Sequence, residues 1–360
     1  MVVLSSTASN RNGAVFSTNR YAVPVRRSGS HNLLAFLSSR LSIALASIVL
    51  TLFVTSLFSA IPSPSRTSFL TSFDLTNVDA TRRGHFANEK LLILTPLKDA
   101  EPYLDDYFDN LSRLNYPARL ISLAFLVSDS TDDTVQKLEQ IASRQAKQPR
   151  KERFDSIQIY RRDFHFNLAN EVRHGFEGQP VRRAFIARAR NYLLTAALQH
   201  DHAWVLWLDV DVVRYDPNVL MDLMSIDKDV VVPNTLWHQP DSWDFWGFDR
   251  NNFAETEQSL ALLKKLGHDT LLVEGYRELV THRLHLVDMP THLGLAHVPL
   301  DGIGCTFALV KARVHREGVT FPTFVFDNEI ETEGFAKMAK RAGFEVVGVP
   351  GVVVFHAINK

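Results

Sequence analysis

Apolar and polar positions change rhythm several times along this chain, and each change marks an element. Leu91-Leu92-Ile93-Leu94-Thr95-Pro96 is an unbroken apolar run closed by proline, the pattern of a buried strand. Glu101 to Leu114 carries Tyr103, Leu104, Tyr107 and Leu111 at helical spacing. Leu120 to Val127 reads as a second strand, and Thr131 to Arg144 as a helix with Val135, Leu138 and Ile141 on one face. Val181 to Leu198 follows as a helix whose stripe is Ile186, Ala189, Leu193, Ala197 and Leu198. Trp204 to Val213 is an apolar run broken only by two aspartates. Lys228 to Pro233 and Thr306 to Val310 are further strands, Phe335 to Ala342 is a helix stopped by Gly343, and Phe344 to Phe355 supplies one or two more strands. Strand and helix alternate without an internal repeat. This predicts an α/β domain with a mixed, mainly parallel sheet flanked by helices.

The segment ahead of that domain differs. Residues 1–40 are rich in Ser, Arg and Asn, with Arg11, Arg20, Arg26, Arg27 and Arg40 and no acid, and read as a disordered cytoplasmic tail. Leu41 to Ile61 is uncharged and long enough to cross a bilayer as one helix. It starts too far from the N-terminus for a cleaved signal peptide, so an uncleaved signal anchor is expected. The basic flank keeps the tail in the cytoplasm. Residues 62–88 read as a stem, and 89–360 as the folded domain beyond the membrane.

Charge adds mainly exclusions. The chain carries 39 basic and 40 acidic residues, so no strong field advertises nucleic acid. The basic stretch Arg144 to Arg162 reads as a solvated face. Cys305 is the only cysteine, which rules out an intrachain disulfide and suggests a buried free thiol. Asn110-Leu111-Ser112 is an acceptor sequon on the predicted helix.

The two aspartates carry the chemistry. On a strand, Asp209 and Asp211 would share a face. Two carboxylates in a dry setting repel, and a divalent cation relieves them; hard oxygen ligands suit manganese or magnesium. Such ions accompany phosphate-bearing substrates. In open α/β sheets ligands bind beyond the carboxyl ends of strands, where Thr95, Pro96 and Asp129 fall. His356 falls there too and could complete an Asp/Asp/His set. Arg188 and Asn191 share a helix face, suited to phosphate and hydroxyl contacts. Asn328 to Glu331 has capping-box spacing, yet Glu329, Glu331 and Glu333 exceed what a cap needs. A polar cluster beside a sugar is the other reading. Asp301-Gly302-Ile303-Gly304 reads as a flexible acidic loop on the acceptor side. Trp237, Trp243 and Trp246 fit either a sugar platform or a satellite core.

Arg182-Arg183-Ala184-Phe185-Ile186-Ala187-Arg188-Ala189-Arg190-Asn191-Tyr192-Leu193-Leu194, then Trp204 to Asp211, then Glu329 to Lys340 closely resemble the fungal mannan-polymerase mannosyltransferases, glycosyltransferase family 62. The resemblance covers about Lys90 to His356. It implies a GT-A (Rossmann-like) fold on a single-pass type II Golgi membrane protein. It also implies retaining, manganese-dependent transfer of mannose from GDP-mannose onto α-mannan chains of N-glycans, with an acceptor 6-hydroxyl attacking. Members act in hetero-oligomeric complexes of homologous subunits. Carried over, Asp209, Asp211 and His356 would hold the ion; Thr95, Pro96 and Asp129 would frame the guanosine; Arg188 and Asn191 would steady the donor. Glu331, Glu333 and Asp301 are the acids expected on the catalytic and acceptor side. Three other readings remain: a transferase using another nucleotide sugar such as UDP-galactose, a non-catalytic scaffold subunit, and a nucleotidyltransferase.

Overall fold

The computed structural model describes residues 45–51, 70–76, 78–168, 172, 175–238, 248–276, 278–289 and 296–358. The chain divides into two compact units, Met1–Ser72 and Phe73–Lys360. In the first, residues 45–51 are helical; the rest of the expected anchor at 41–61 lies outside the described residues. Among the described residues no helix is long and apolar enough to cross a membrane.

In the second unit, nine strands among the described residues form one sheet. In chain order these are β1 (Lys90–Leu97), β2 (Ile121–Val127), β3 (Ser156–Arg161), β4 (His202–Leu208), β5 (Val212–Tyr215), β6 (Val230–Trp237), β9 (Val298–Pro299), β10 (Phe307–Lys311) and β11 (Val346–His356). Two short strands, β7 (Phe253–Ala254) and β8 (Leu284–His285), pair separately. The order across the large sheet is β3-β2-β1-β4-β10-β6-β11-β5, with β9 also on β11. β1, β2, β3 and β4 run parallel, as do β6 and β11; β10 lies antiparallel between β4 and β6, and β5 antiparallel on β11. The mixed, mainly parallel sheet expected from the sequence is therefore present.

Alternation along the strands builds two cores. Leu91 and Ile93 of β1, with Trp204 and Leu206 of β4, pack against α2 (Leu104–Ser112) and α3 (Thr134–Ala146). Leu92, Leu94, Val205 and Trp207 pack on the opposite face against α4 (Gln179–Ala197) and α8 (Glu331–Arg341). The remaining helices are α1 (Gly84–Ala87), α5 (Val219–Ser225), α6 (Glu257–Leu266) and α7 (Ala312–Arg316). Because every side chain of β4 is buried, the strand reads as a continuous apolar run.

Several boundaries differ from the pattern reading. Ala80 packs on the core and Gly84 is buried beside Trp204, so the last part of the expected stem belongs to the folded unit. α8 begins at Glu331, four residues before the apolar stripe that announced it, because its first turn holds buried charges. Asn110 is buried, donating from Nδ2 to the Val213 carbonyl at 2.8 Å. Cys305 is a buried free thiol.

Candidate functional site

β4 stops at Leu208, so Asp209 and Asp211 stand in the β4–β5 turn and not on the strand. Val212 to Tyr215 continues the apolar run as a separate strand, which conceals the turn in the sequence. Each carboxylate takes a different partner there. Asp209 is anchored by its backbone N–H to the Thr306 carbonyl at 3.0 Å, and its carboxylate faces Arg190 Nη2 at 3.4 Å. Asp211 accepts the Ala357 N–H on its carbonyl at 2.8 Å, and its Oδ2 lies 3.0 Å from His356 Nε2. Pairing of His356 with Val212 across β11 and β5 brings that contact about.

His356 is buried and stacked flat on Phe248, with ring centroids 3.7 Å apart. Trp237 meets it edge-on at 5.6 Å. Its Nδ1 is 2.6 Å from the Ala357 carbonyl, which can only accept, so Nδ1 carries a proton. Burial pushes the imidazole pKa down. The Asp211 hydrogen bond and charge, the Ala357 carbonyl and the Asp209 charge outweigh burial and hold it above the usual histidine value. Asp209 is itself pushed up to about 6: burial leads, Asp211 and Glu331 add to it, and Arg190 and His356 oppose.

Arginines from α4 organise the acids the sequence singled out. Arg190 is buried, its Nε 3.0 Å from Glu331 Oε1, and its guanidinium lies 5.3 Å from the Trp207 ring centroid. One turn-pair earlier, Arg183 bonds Glu333, which is fully buried and also accepts from Thr332 Oγ1 at 2.9 Å. Arg283, on β7–β8's side of the domain, bonds Glu329, Glu274 and Glu255. Glu329, Glu331 and Glu333 are thus counter-ions to three different arginines, and neither Glu331 nor Glu333 is a free carboxylate. Burial pushes the Glu333 carboxyl pKa up against the pull of Arg183. The expected capping box does not form. Instead Phe326 and Glu329 exchange backbone hydrogen bonds around Asp327 and Asn328, both at positive φ, as in a tight hairpin turn. Glu331 is also left-handed, at φ 57°.

Beside Asp209 lies a cleft of about 250 Å3, lined by Pro96, Lys98, Asp129, Phe164, Phe185, Arg182 and Arg190 among others. Pro96 and Asp129 therefore reach the cleft as expected. Asp129 is held there by the Phe164 and His165 N–H groups, at 3.2 and 2.9 Å. Thr95 does not reach it: the residue is fully buried, with its hydroxyl bonded to Tyr107 and the Leu208 carbonyl. Arg188 faces solvent over the Phe185 ring. Asn191 spends its amide on both backbone groups of Phe321. Asp301 is fixed, not flexible; it binds Lys340 and the Glu255 N–H. The loop is rigid because Gly302 lies under Phe253, whose ring would stand 2.3 Å from a Cβ. Trp243 and Trp246 lie outside the described residues.

Sequence reasoning passed over Arg183 and Arg190. Their spacing of seven puts them on one helix face. That face is also the buried one, a signal visible once Ala187 and Leu194 are placed beside them.

Residues 70–325 match the Anp1 family. The mannan polymerase II complex anp1 subunit of Schizosaccharomyces pombe is 42% identical over 331 residues, covering 87% of this chain and 77% of that protein. The mannan polymerase II complex ANP1 subunit of Saccharomyces cerevisiae is 38% identical over 303 residues, covering 82% of this chain and 60% of that protein. A solved mannosyltransferase of Pyrobaculum calidifontis, in complex with GDP-Man and Mn2+, aligns at a TM-score of 0.44 with 13% identity over 79% of this chain and 60% of that one.

Proposed function

The chain belongs to the Anp1 family, and from that premise we propose that it is a GT-A-type glycosyltransferase that moves mannose from GDP-mannose onto α-mannan chains of N-glycans. It works with manganese or magnesium, in a hetero-oligomeric complex with homologous subunits. It sits in the Golgi membrane through the 41–61 span, with the catalytic domain in the lumen. Retention and an α-1,6 linkage complete the reading.

The observation that carries it is the Asp211–His356 pair. The Ala357 carbonyl fixes a proton on Nδ1, and the raised pKa favours a second proton on Nε2, donated to the Asp211 carboxylate at 3.0 Å; a bound divalent ion would take that proton's place. Two acceptors face each other at that spacing only with a proton or a cation between them. Neighbouring ligands of an octahedral ion with bonds of roughly 2.1 Å stand about 3 Å apart, so Asp211 Oδ2 and His356 Nε2 have the spacing of two such ligands; among the described residues no group of three His, Cys, Asp or Glu side chains is gathered as a metal site, so Asp209 would complete the set by turning from Arg190. Asp209, Asp211 and His356 would hold that ion, which supplies charge stabilisation to a departing diphosphate.

The chain's own groups do the rest. Asp129, Pro96 and the ring of Phe164 form a wall for the nucleoside half of the donor. Lys98 and Arg182 give the cleft positive charge suited to a diphosphate. Arg190, which lines the cleft beside it, holds Asp209 in place. With Glu331 and Glu333 committed to arginines, a same-face attack by the acceptor hydroxyl requires no protein nucleophile, and this is the route we favour for retention.

The test is transfer of radiolabelled mannose from GDP-mannose to a mannobiose acceptor by the full-length chain, alone and with co-expressed homologous subunits. Chelation should abolish transfer and manganese restore it. Asp211→Ala should lose it by about 100- to 1,000-fold, as expected when an electrostatic stabiliser of the transition state is removed. Normal transfer by a complex carrying Asp211→Ala would leave this chain a scaffold, and preference for a UDP-sugar would replace the donor.

A further inference from the structure

A groove of about 640 Å3 lies on the β7–β8 side of the domain and shares no lining residue with the cleft next to Asp209. Arg250, Glu274, Tyr276, Val280, His282 and His285 line it. Its size falls within the range of small-molecule sites. The wall is built rigidly. Glu274 is buried, and its carboxylate takes Arg283 Nη1 at 2.7 Å and the Thr281 hydroxyl at 3.1 Å and faces His285 Nε2 at 3.0 Å. Those contacts leave about one of the roughly four lone-pair positions of a carboxylate for a further donor. The Arg283 side chain is fully buried, 3.9 Å from the Phe253 ring centroid, and pairs also with Glu255 and Glu329. A turn at Gly275, with φ 84°, carries the chain from Glu274 to Tyr276. His282 is held left-handed at φ 58°, with its carbonyl accepting the Thr256 hydroxyl at 2.7 Å. A non-glycine residue at that φ stores strain, and such strain gathers at binding sites.

The lining selects among ligands. A carboxylate in the wall repels phosphate, in contrast to the cleft with its Lys98 and Arg182. A carboxylate acceptor, guanidinium and imidazole donors, and an aromatic ring beside apolar Val280 suit a neutral polyhydroxylated ring, whose hydroxyls bond and whose C–H face packs. Two paths along the chain join the groove to the Asp211–His356 pair and the cleft. Arg250 stands two residues past Phe248, which stacks on His356. Two extended residues span at most about 7 Å. Tyr276 meets the Phe176 ring with centroids 5.7 Å apart, and Phe176 opens the turn leading into α4, whose Arg182 lines the cleft.

We propose that this groove is the acceptor subsite: it holds the neutral mannoside chain that receives the new residue, through Arg250, Glu274 and the ring of Tyr276. This deepens the mannosyl-transfer reading above and rests on it. Donor and acceptor then occupy separate hollows, one basic and one of mixed charge. Changes in the groove should alter acceptor binding and leave donor binding alone.

The experiment uses the full-length chain with α-1,6-mannotetraose. Saturation-transfer NMR gives the Kd for the mannoside alone, and initial rates give separate KM values for GDP-mannose and mannotetraose. Tyr276→Ala and Arg250→Gln should each raise the mannotetraose Kd and KM about tenfold and leave the GDP-mannose KM within about twofold. Val280 is 65% exposed, so Val280→Glu disturbs no core and should raise the same two quantities about tenfold by placing a charge where the sugar packs. A general folding defect would move both KM values together. An unchanged mannotetraose Kd in the variants overturns the proposal, as does a parent chain without measurable affinity for mannotetraose. Variants that bind the sugar normally but no longer copurify with homologous subunits would make the groove a subunit contact, and overturn it too. Should Tyr276→Ala fail to fold, Val280→Glu decides by the same readout. A parent that binds mannotetraose, weakened by the variants, yet moves no mannose from GDP-mannose would sustain the subsite and refute the donor reading instead.

Discussion

Removing one partner of the Arg183–Glu333 pair should unfold the protein far more readily than removing both. Glu333 is fully buried and Arg183 nearly so, with a direct ion pair between α4 and the first turn of α8. Arg183→Met strands a carboxylate left with the Thr332 hydroxyl and its own backbone N–H as donors. Stranding a buried charge costs about 3–5 kcal/mol. For a domain of this size each kcal/mol moves Tm by about 2 °C, so the single variant should melt about 6–10 °C lower. Glu333→Leu strands the guanidinium and should cost a similar amount. The double variant Arg183→Met/Glu333→Leu replaces the pair by apolar groups of comparable volume, and should return to within about 2 kcal/mol of the parent. Differential scanning calorimetry on the four proteins measures the coupling, and a mannose-transfer assay on the same samples asks whether Glu333 acts on substrate. Purely additive losses would refute the counter-ion argument. A double variant that melts normally but transfers no mannose would refute it from the other side, by making Glu333 catalytic.

Acid should destabilise the fold through two histidines locked in their neutral form. His202 takes the Gln199 N–H on Nδ1 at 3.0 Å, His315 takes the Trp207 N–H on Nε2 at 3.2 Å, and burial lowers each pKa from 6.5 to about 4. The contribution is complete above pH 6.5 and is lost as pH falls toward 4, by about 3 kcal/mol for each residue; urea midpoints that stay flat across that window would contradict it. Trp207→Phe removes the indole donor from buried His315 and should cost about 1–3 kcal/mol by chemical denaturation, with an unchanged midpoint counting against the bond. The Asn110 sequon should carry no glycan on correctly folded protein, because its Nδ2 is buried on the Val213 carbonyl; a glycosidase-sensitive mass at that peptide would show that the α2 packing is wrong.

Much of the framework was legible because its signals are local. β1, β2 and β4 are continuous apolar runs, and α3 and α4 present periodic stripes. What stayed hidden depends on partners far along the chain. The antiparallel course of β10 between β4 and β6 leaves no mark in its own five residues. Arg190 and Glu331 meet across 141 positions, and Arg183 and Glu333 across 150. A charged side chain on a helix stripe looks like surface until its distant partner is known, which is why the pattern points to solvent-facing Arg188 and structural Asn191 ahead of them. The glutamate cluster was correctly marked as exceeding a helix cap, but the surplus serves arginine burial. The Asp211–His356 contact was legible for a different reason: His356 ends β11, Asp211 stands in the turn just before β5, its antiparallel partner, and strand ends cluster.

The left-handed backbone of Glu331 sets a boundary for anyone who tries to make this protein more robust by design. Sequence statistics at such a position recommend glycine, which would relax the chain by about 1–2 kcal/mol. That change would also take the counter-ion from Arg190, and so loosen the side chain that steadies Asp209. A library ranked by melting temperature and one ranked by turnover should therefore diverge at this codon.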